Sequence, residues 1–325
     1  MALQCIKKAH CLNTYIKSAV LLIVMGVTTW FQISTSNRYD RKPDFPVESL
    51  IDIMPPLRDK NGLQACPIPP PGLAARMGVE ANVTEAEAEV NVANVRQGGS
   101  WWPENCTAPW SVAVVVPYRD REHMIGPFLN HLHPFLQRQM LNYSIYFVEQ
   151  SAGKTFNKAM LLNIGYKQAQ AEGPWDCYVF HDIDCVPEDD RNLYYCSSQP
   201  RHLAVSPDKF GYKLFYPTCF GGASLMSGWQ IERVNGWSNR YFGWGGEDDD
   251  MWDRIHAEGM EVKRYPEYIA TYTMLKHAEA EPNPERYELL AQTLSSYKND
   301  GLNTLNYTLA STTRRQLYTK FLVEI

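Results

Sequence analysis

The segment Ser111-Val112-Ala113-Val114-Val115-Val116-Pro117 decides the fold. Its continuous run of apolar, mostly β-branched residues predicts a strand that is buried on both faces. Outward from it, we predict a helix over about 124–140, a strand over 143–149, a helix over 155–171 and a strand over 177–181. This alternation predicts an α/β fold with a mostly parallel, Rossmann-like sheet flanked by helices. Ligands of such sheets bind at the carboxyl ends of the strands.

The N-terminal region carries a short apolar run behind several basic residues. The run closes on the bulky residues Trp30 and Phe31, which suit a membrane interface, whereas a cleavable signal ends in small residues. We therefore predict a type II signal anchor, with a cleaved signal peptide as the alternative. The Pro-rich residues that follow predict an extended spacer. The expected order is a cytoplasmic tail over 1–17, a transmembrane anchor over 18–36, a lumenal stem over 37–105 and a catalytic domain over 106–325.

Secretory residence favours disulfides, and the chain has 8 Cys with no zinc-binding spacing. Four Asn-x-Ser/Thr sequons agree with that compartment, at Asn82, Asn105, Asn142 and Asn306. The net charge of -5, with Lys and Arg scattered along the chain, argues against a nucleic-acid partner.

Two carboxylates follow the third predicted strand, in Asp182-Ile183-Asp184. At the end of a strand such acids can hold a divalent cation through oxygen atoms, while a nucleotide diphosphate fills its remaining positions. A solvated loop is the alternative, but the preceding apolar strand favours the metal site. Arg119 and Arg121 follow the first strand, where they suit a phosphate or uracil contact or serve as plain surface charge.

A second acidic cluster, Glu247-Asp248-Asp249-Asp250, precedes a predicted helix over 251–258. The helix dipole favours acids in a first turn, which accounts for one or two of the four. Gly245 and Gly246 let the backbone approach a ligand, and Trp244 offers a flat face to a sugar ring. One carboxylate beside such a surface is a candidate general base for an acceptor hydroxyl.

Met274 and His277 have the i, i+3 spacing of a helix, which could put both side chains at one metal. Residue chemistry supports only His277 as a ligand, because a thioether does not suit a hard cation.

Taken together, these segments resemble the β-1,4-galactosyltransferase family, over about residues 106–325. The resemblance is carried by an ordered series of motifs: VVPYRDR (115–121), LHPFLQRQ (132–139), FNKA (156–159), DID (182–184), SQPRH (198–202), DKFG (208–211), FGG (220–222), WGGEDDD (244–250), MxxH (274–277) and DGLN (300–303).

The resemblance implies a glycosyltransferase-A (GT-A) fold, a bound Mn²⁺ and Asp248 as catalytic base. The implied metal ligands are Asp184, Met274 and His277. The implied contacts to the uridine-diphosphate sugar come from Pro117, Tyr118, Arg119, Arg121, Phe156, Lys158, Asp182, Ile183, Lys209, Trp244 and Glu247. The residues implied around the acceptor are Tyr216, Gly245, Gly246, Asp249, Arg286 and Tyr287.

The implied reaction transfers galactose from UDP-galactose, with inversion, in β-1,4 linkage to terminal N-acetylglucosamine. In the family, a residue matching Tyr216 narrows the donor pocket and favours galactose; an N-acetylated donor is the alternative, because the neighbouring Phe215, Pro217 and Cys219 depart from the usual pattern. A silent lectin is disfavoured because all metal and base residues are present. A branch acting on xylose is disfavoured by Met274. The segment 275–293 corresponds to a mobile lid.

The resemblance also implies disulfides Cys66–Cys106 and Cys177–Cys196, which leaves Cys185 and Cys219 as free thiols. It implies a single-pass type II protein of the Golgi membrane, with its catalytic domain in the lumen.

Overall fold

The computed structural model describes residues 63–325, all within one compact unit of the chain. The predicted tail and anchor, and the first part of the predicted stem, lie outside these residues. Among residues 63–325, no helix is both long enough and apolar enough to cross a membrane.

Seven helices and twelve strands are found in this part of the chain. The helices are α1 (Glu85–Asn91), α2 (Glu122–Arg138), α3 (Lys158–Glu172), α4 (Gly228–Arg233), α5 (Glu247–Ala257), α6 (Arg286–Ala291) and α7 (Thr293–Ser296). The strands are β1 (Ser100–Trp101), β2 (Ser111–Tyr118), β3 (Asn142–Gln150), β4 (Cys177–His181), β5 (Cys185–Pro187), β6 (Arg201–His202), β7 (Ser206–Pro207), β8 (Ala223–Ser227), β9 (Lys263–Arg264), β10 (Thr271–Met274), β11 (Thr308–Arg314) and β12 (Thr319–Glu324). Short 3₁₀ helices cover Asp208–Phe210, Tyr297–Asn299 and Leu302–Thr304.

The main sheet has nine strands, in the order β11-β12-β3-β2-β4-β8-β6-β9, with β1 paired to β3. Its centre follows the prediction, since β2 pairs parallel with both β3 and β4. The prediction of a mostly parallel sheet is corrected at the flanks: β8 runs antiparallel to β4 and β6, and β11 antiparallel to β12. The sheet is therefore mixed. A second sheet of three strands has the order β5-β10-β7.

The apolar run 112–116 is fully buried in the middle of this sheet. Helix α3 packs closely on this strand at Gly165. There is no room for a side chain at that position, since a Cβ would lie 2.2 Å from Val115 Cγ1. Burial of such a strand on both faces contributes about 25 cal/mol for each Å² of apolar surface removed from water. The central strands thus form a rigid base, and their carboxyl ends carry the polar residues of interest.

Residues 66–105 belong to the folded domain, which corrects the prediction that the stem extends to residue 105. Cys66 is buried and forms a disulfide with Cys106. Helix α1 begins at a capping box on Thr84 and buries Ala88. It lies against α2 at Gly126, where a Cβ would come within 2.1 Å of the Val83 carbonyl oxygen. These contacts were missed from the sequence because the proline content of the segment favoured an extended spacer.

Both implied disulfides are present, and Cys185 and Cys219 are free. Three of the sequon asparagines, Asn82, Asn105 and Asn306, are exposed. Asn142 differs, because it lies in β3, is only partly exposed and is followed by the buried Ser144 of its sequon.

Candidate active site

The predicted site residues meet at one edge of the main sheet. Arg119 and Arg121 directly follow β2, and Asp182 and Asp184 follow β4. Because β2 and β4 are parallel neighbours, their carboxyl ends open at the same edge. The N-terminus of α5 brings the acidic cluster to this edge.

Lys158 joins the two acidic motifs. Its Nζ lies 3.4 Å from Asp182 Oδ2, 3.1 Å from Asp248 Oδ2 and 2.7 Å from Glu247 Oε1. Lys158 is the first residue of α3, and the side chain of Asn157 caps that helix by accepting from the Met160 N–H. The cap fixes where the Lys158 side chain leaves the helix. One ammonium group therefore holds three carboxylates that come from two distant motifs.

The charges of this cluster are strongly perturbed. Burial raises the pKa of Asp248 to about 7; Lys158 opposes the shift and Glu247 adds to it. Burial likewise raises the pKa of Asp182 to about 6, against the effect of Lys158. Burial alone would lower the pKa of Lys158, but the three carboxylates outweigh it and keep the amine protonated. A buried carboxylate that titrates near neutral pH is suited to general-base chemistry.

The four consecutive acids divide among three environments. They do not precede the helix, as predicted, but form its first turn, which begins after Gly246 in the left-handed region (φ 96°). Glu247 and Asp248 contact Lys158, whereas Asp249 bonds to Tyr216. The buried Asp250 pairs with Arg254 one turn later, and it also accepts from the Thr293 hydroxyl. Asp250 therefore has a structural role, whereas Asp248 and Asp249 contact Lys158 and Tyr216, two of the predicted site residues.

Gly221 provides the space for the Asp248 carboxylate. A Cβ at Gly221 would lie 2.4 Å from Asp248 Oδ2, closer than real Cβ contacts allow. Gly221 was not predicted as a site residue, although the Phe-Gly-Gly motif that contains it is one of those shared with the family. The close approach fixes the position of the carboxylate.

The metal residues partly assemble at the neighbouring loop. His277 Nε2 lies 2.9 Å from Asp184 Oδ2, and His277 Nδ1 lies 2.6 Å from the Ala278 carbonyl. Both ring nitrogens face oxygen acceptors, so both donate in this arrangement, and the hydrogen bond to Asp184 raises the pKa of His277. A metal bound by Asp184 and His277 would replace the Nε2 proton, while the Nδ1–H bond to the Ala278 carbonyl would keep the ring oriented. Met274 ends strand β10 and pairs with Cys185, so its i, i+3 spacing to His277 is not helical as predicted.

Carboxylate and imidazole donors suit Mn²⁺, so Asp184 and His277 fit this ion. No group of three or more His, Cys, Asp or Glu side chains within residues 63–325 is arranged to hold a metal. The set implied by the family includes the thioether of Met274. The backbone of Met274 is anchored here, since its N–H donates to Asp208 Oδ1 at 2.9 Å.

The predicted donor residues fall into two groups. Arg119 lies over the Phe156 ring at 5.2 Å and donates to the Lys154 carbonyl, and Arg121 reaches His277 Nδ1 at 3.4 Å. Lys209 is exposed beside Asp208. The side chain of Tyr118 is buried against Phe147 inside the fold. Pro117 and Ile183 are buried as well.

The predicted acceptor residues surround the glycine pair before α5. A Cβ at Gly245 would lie 3.2 Å from Arg286 Cδ, and Arg286 in turn lies against the ring of Tyr287. Trp244 exposes 60% of its surface. The backbone N–H of Trp244 donates to the Glu281 carbonyl. The predicted lid segment therefore pairs with the backbone at Trp244.

The chain is similar in sequence to known families and proteins. The family model described as "N-terminal region of glycosyl transferase group 7" matches residues 66–197, and the one described as "N-terminal domain of galactosyltransferase" matches residues 201–278. β-1,4-Galactosyltransferase 2 of Cricetulus griseus is 44% identical over 266 residues, which cover 80% of this chain and 72% of that protein. β-1,4-Galactosyltransferase 1 of Homo sapiens is 40% identical over 286 residues, which cover 86% of this chain and 72% of that protein.

Solved structures share the fold. The catalytic domain of Drosophila β-1,4-galactosyltransferase 7, in complex with xylobiose, matches with a TM-score of 0.58 and 26% identity, over 66% of this chain and 94% of that one. A mutant of the same Drosophila enzyme, in complex with manganese, UDP-Gal and xylobiose, matches with a TM-score of 0.57 and 26% identity, with the same coverage of both chains. The mixed sheet with flanking helices is thus a GT-A-like fold. The chain is a glycosyltransferase and belongs to the β-1,4-galactosyltransferase family.

Proposed function

We propose that this enzyme transfers galactose from UDP-galactose in β-1,4 linkage to terminal N-acetylglucosamine of glycoproteins or glycolipids. The observation that carries the proposal is the Lys158 bridge. It joins Asp182 of the strand-end motif, where a nucleotide sugar would bind, to Asp248 on the side where an acceptor would enter. The galactosyltransferase relatives and the UDP-Gal complex of the Drosophila enzyme support the choice of donor.

The reaction is a single displacement. Asp248 accepts the proton of the acceptor 4-hydroxyl, and that oxygen forms a bond to the anomeric carbon of the donor sugar. The bond from this carbon to the diphosphate oxygen breaks on the opposite face, and its electron pair leaves with UDP. Inversion converts the α-linked donor into a β-linked product. Lys158 favours the ionised form of Asp248 before the proton arrives, because it opposes the rise in the Asp248 pKa.

Mn²⁺ is the proposed metal, with Asp184, His277 and Met274 holding it. Bound there, the ion would neutralise charge on the departing diphosphate. Arg121 contacts this loop at His277, and Arg119 lies two residues earlier, over the Phe156 ring; both would supply further positive charge for the same group.

The proposed setting is the Golgi membrane, with residues 18–36 as a type II anchor and the catalytic domain in the lumen. Two disulfides and three exposed sequon asparagines support a secretory compartment.

A specific observation supports an N-acetylated donor as the second candidate. Tyr216 bonds to Asp249, so its ring is held on the acceptor side. Cys219 lies near Asp248, and burial, together with the charge of that carboxylate, raises the pKa of its thiol. A thiol is much smaller than a tyrosine ring, and it leaves more room beside the donor sugar.

A donor screen tests the proposal. Purified full-length enzyme is incubated with Mn²⁺ and N-acetylglucosamine, and UDP-galactose, UDP-N-acetylgalactosamine and UDP-N-acetylglucosamine are compared, with xylose as a second acceptor. We expect turnover mainly with UDP-galactose and N-acetylglucosamine, loss of turnover with EDTA and its return with Mn²⁺. Faster transfer of N-acetylgalactosamine would replace the named sugar, and no turnover with any donor would leave a sugar-binding role.

A further inference from the structure

The guanidinium group of Arg264 binds the backbone of the segment Pro217–Gly221. Arg264 Nη2 donates to the Pro217 carbonyl at 2.8 Å and to the Cys219 carbonyl at 2.9 Å. Its Nε donates to His202 Nδ1 at 3.2 Å. These contacts use the planar fork of the guanidinium, which the single ammonium of a lysine could not reproduce.

The chemistry of its partners fixes the state of His202. Arg264 can only donate, so His202 Nδ1 must be the acceptor. The Gly221 carbonyl can only accept, so His202 Nε2, 2.9 Å away, must carry the proton. The ring is therefore neutral, and burial, with the charge of Arg264 added, lowers its pKa to about 3. Arg264, His202 and Gly221 form a hydrogen-bond chain that runs in one direction.

This hydrogen-bond chain ends at Gly221, which lies against the candidate base Asp248. Gly221 is the residue whose Cβ would clash with the Asp248 carboxylate, so any shift of its backbone changes the space around that group. Arg264 also lies 5.1 Å from the ring of Trp252, which stands one turn after Asp248 on α5. It thus contacts both the helix that carries Asp248 and the segment that faces it.

The same residues hold a turn over residues 216–219, next to Gly221. Cys219 N–H donates to the Tyr216 carbonyl, which closes a turn, and Arg264 binds two further carbonyls of that turn. Strands β6 and β9 place His202 opposite Arg264 in parallel register. The main sheet therefore holds the pair, and the pair holds a segment that has no strand of its own.

We propose that Arg264 and His202 are positioning residues that fix Pro217–Gly221 against Asp248, and thereby set both the rate of transfer and the choice of donor sugar. The reaction they act on is the proposed one, but the restraint on the segment is a property of the fold and can be measured without turnover.

The test uses full-length Arg264→Lys, with Arg201→Lys as the matched control. Arg201 precedes His202 in β6; its guanidinium lies 4.4 Å from the centre of the Tyr265 ring and donates to the Ser197 hydroxyl. We expect kcat to fall about 10–100-fold in Arg264→Lys, as for a small misplacement of a catalytic group. The ratio of N-acetylgalactosamine to galactose transfer should change in this variant, and both quantities should stay near wild type in Arg201→Lys.

A second readout is the rate at which iodoacetamide labels Cys219, followed by peptide mass spectrometry. We expect several-fold faster labelling in Arg264→Lys and unchanged labelling in Arg201→Lys. If the wild-type enzyme transfers no galactose but the two variants still differ in labelling in this way, the proposed function is overturned and the restraint is upheld. Unchanged kcat, donor ratio and labelling in folded Arg264→Lys would overturn the restraint itself.

His202→Gln and His202→Leu provide a second pair if Arg264→Lys does not fold. A glutamine amide can accept from Arg264 and donate to Gly221, so it should retain most of the activity and slow labelling that the leucine variant loses. Equal kcat and equal labelling in the two variants would refute the positioning role.

Discussion

Lys158 Nζ lies 3.1 Å from Asp248 Oδ2, although 90 residues separate the two in the sequence. The contact ties the first residue of α3 to the first turn of α5. It couples the protonation of the candidate base to a cation that also holds the strand-end motif.

Replacing Lys158 should move the pH dependence of the reaction. Lys158 opposes the rise in the Asp248 pKa, so Lys158→Met should raise this pKa above its value of about 7. The base acts only when deprotonated, so activity is present above its pKa and lost below it. We expect about a tenfold or greater loss of kcat/KM at pH 6, with partial recovery at pH 9. Lys167→Met, on the same helix, should keep the wild-type profile, and an unshifted acid limb in Lys158→Met would contradict the coupling.

The neighbouring acids Asp248 and Asp250 should separate catalysis from stability. Asp248→Asn removes the base and should lower kcat by about 10²–10⁴-fold, with little change in thermal unfolding. Asp250→Asn breaks the buried pair with Arg254 and should lower the free energy of unfolding by about 3–5 kcal/mol. Kinetics and calorimetry on both variants check this, and similar effects of the two substitutions on both quantities would show that the roles are not divided.

Gly221→Ala should impair catalysis more than folding. The added methyl would meet the tip of the Asp248 side chain, which can rotate away and so leave its working position. We expect kcat to fall about 10–100-fold while the melting temperature changes little. Gly78→Ala is the control, since a Cβ there has nothing within 4 Å. A wild-type kcat in Gly221→Ala would mean that the space at this glycine does not set the position of the base.

The start of the folded domain can be tested by truncation. A fragment over 106–325, the predicted domain, lacks Cys66, α1 and β1, whereas a fragment over 63–325 keeps them. Loss of a native disulfide alone costs about 2–5 kcal/mol, so the shorter fragment should not be secreted as folded protein. The longer fragment should show a cooperative unfolding transition. A stable, active shorter fragment would restore the original boundary.

The sequence predicted the central βαβαβ unit because its first strand is an uninterrupted apolar run and its first helix carries a regular apolar stripe. The antiparallel flank was missed, since β6 and β9 have two residues each and leave no periodic signal. The site was predicted where residues cluster in motifs, such as Asp182–Asp184 and Glu247–Asp250.

Contacts between distant single residues could not be predicted in the same way. No pattern links Lys158 to Asp248 before the fold is known. His202 ends the quoted SQPRH motif and Arg264 lies outside the motifs, but no role could be predicted for either residue, because both act through backbone carbonyls, which every residue has. Tyr118 was predicted as a nucleotide contact from its neighbours in the motif; its side chain lies in the core because β2 is buried on both faces up to its last residue.

The acidic turn of α5 gives neighbouring residues separate tasks, because successive side chains leave a helix about 100° apart. Removal of one residue before Asp248 would rotate the later carboxylates by that angle and place Asp249 at Lys158 and Asp250 at Tyr216, whereas insertion of one there would place Asp248 at Tyr216. Length in this stretch is therefore under tighter constraint than composition. A library that varies the four identities should yield some active members, whereas one that varies the number of residues between Gly246 and Arg254 should yield none.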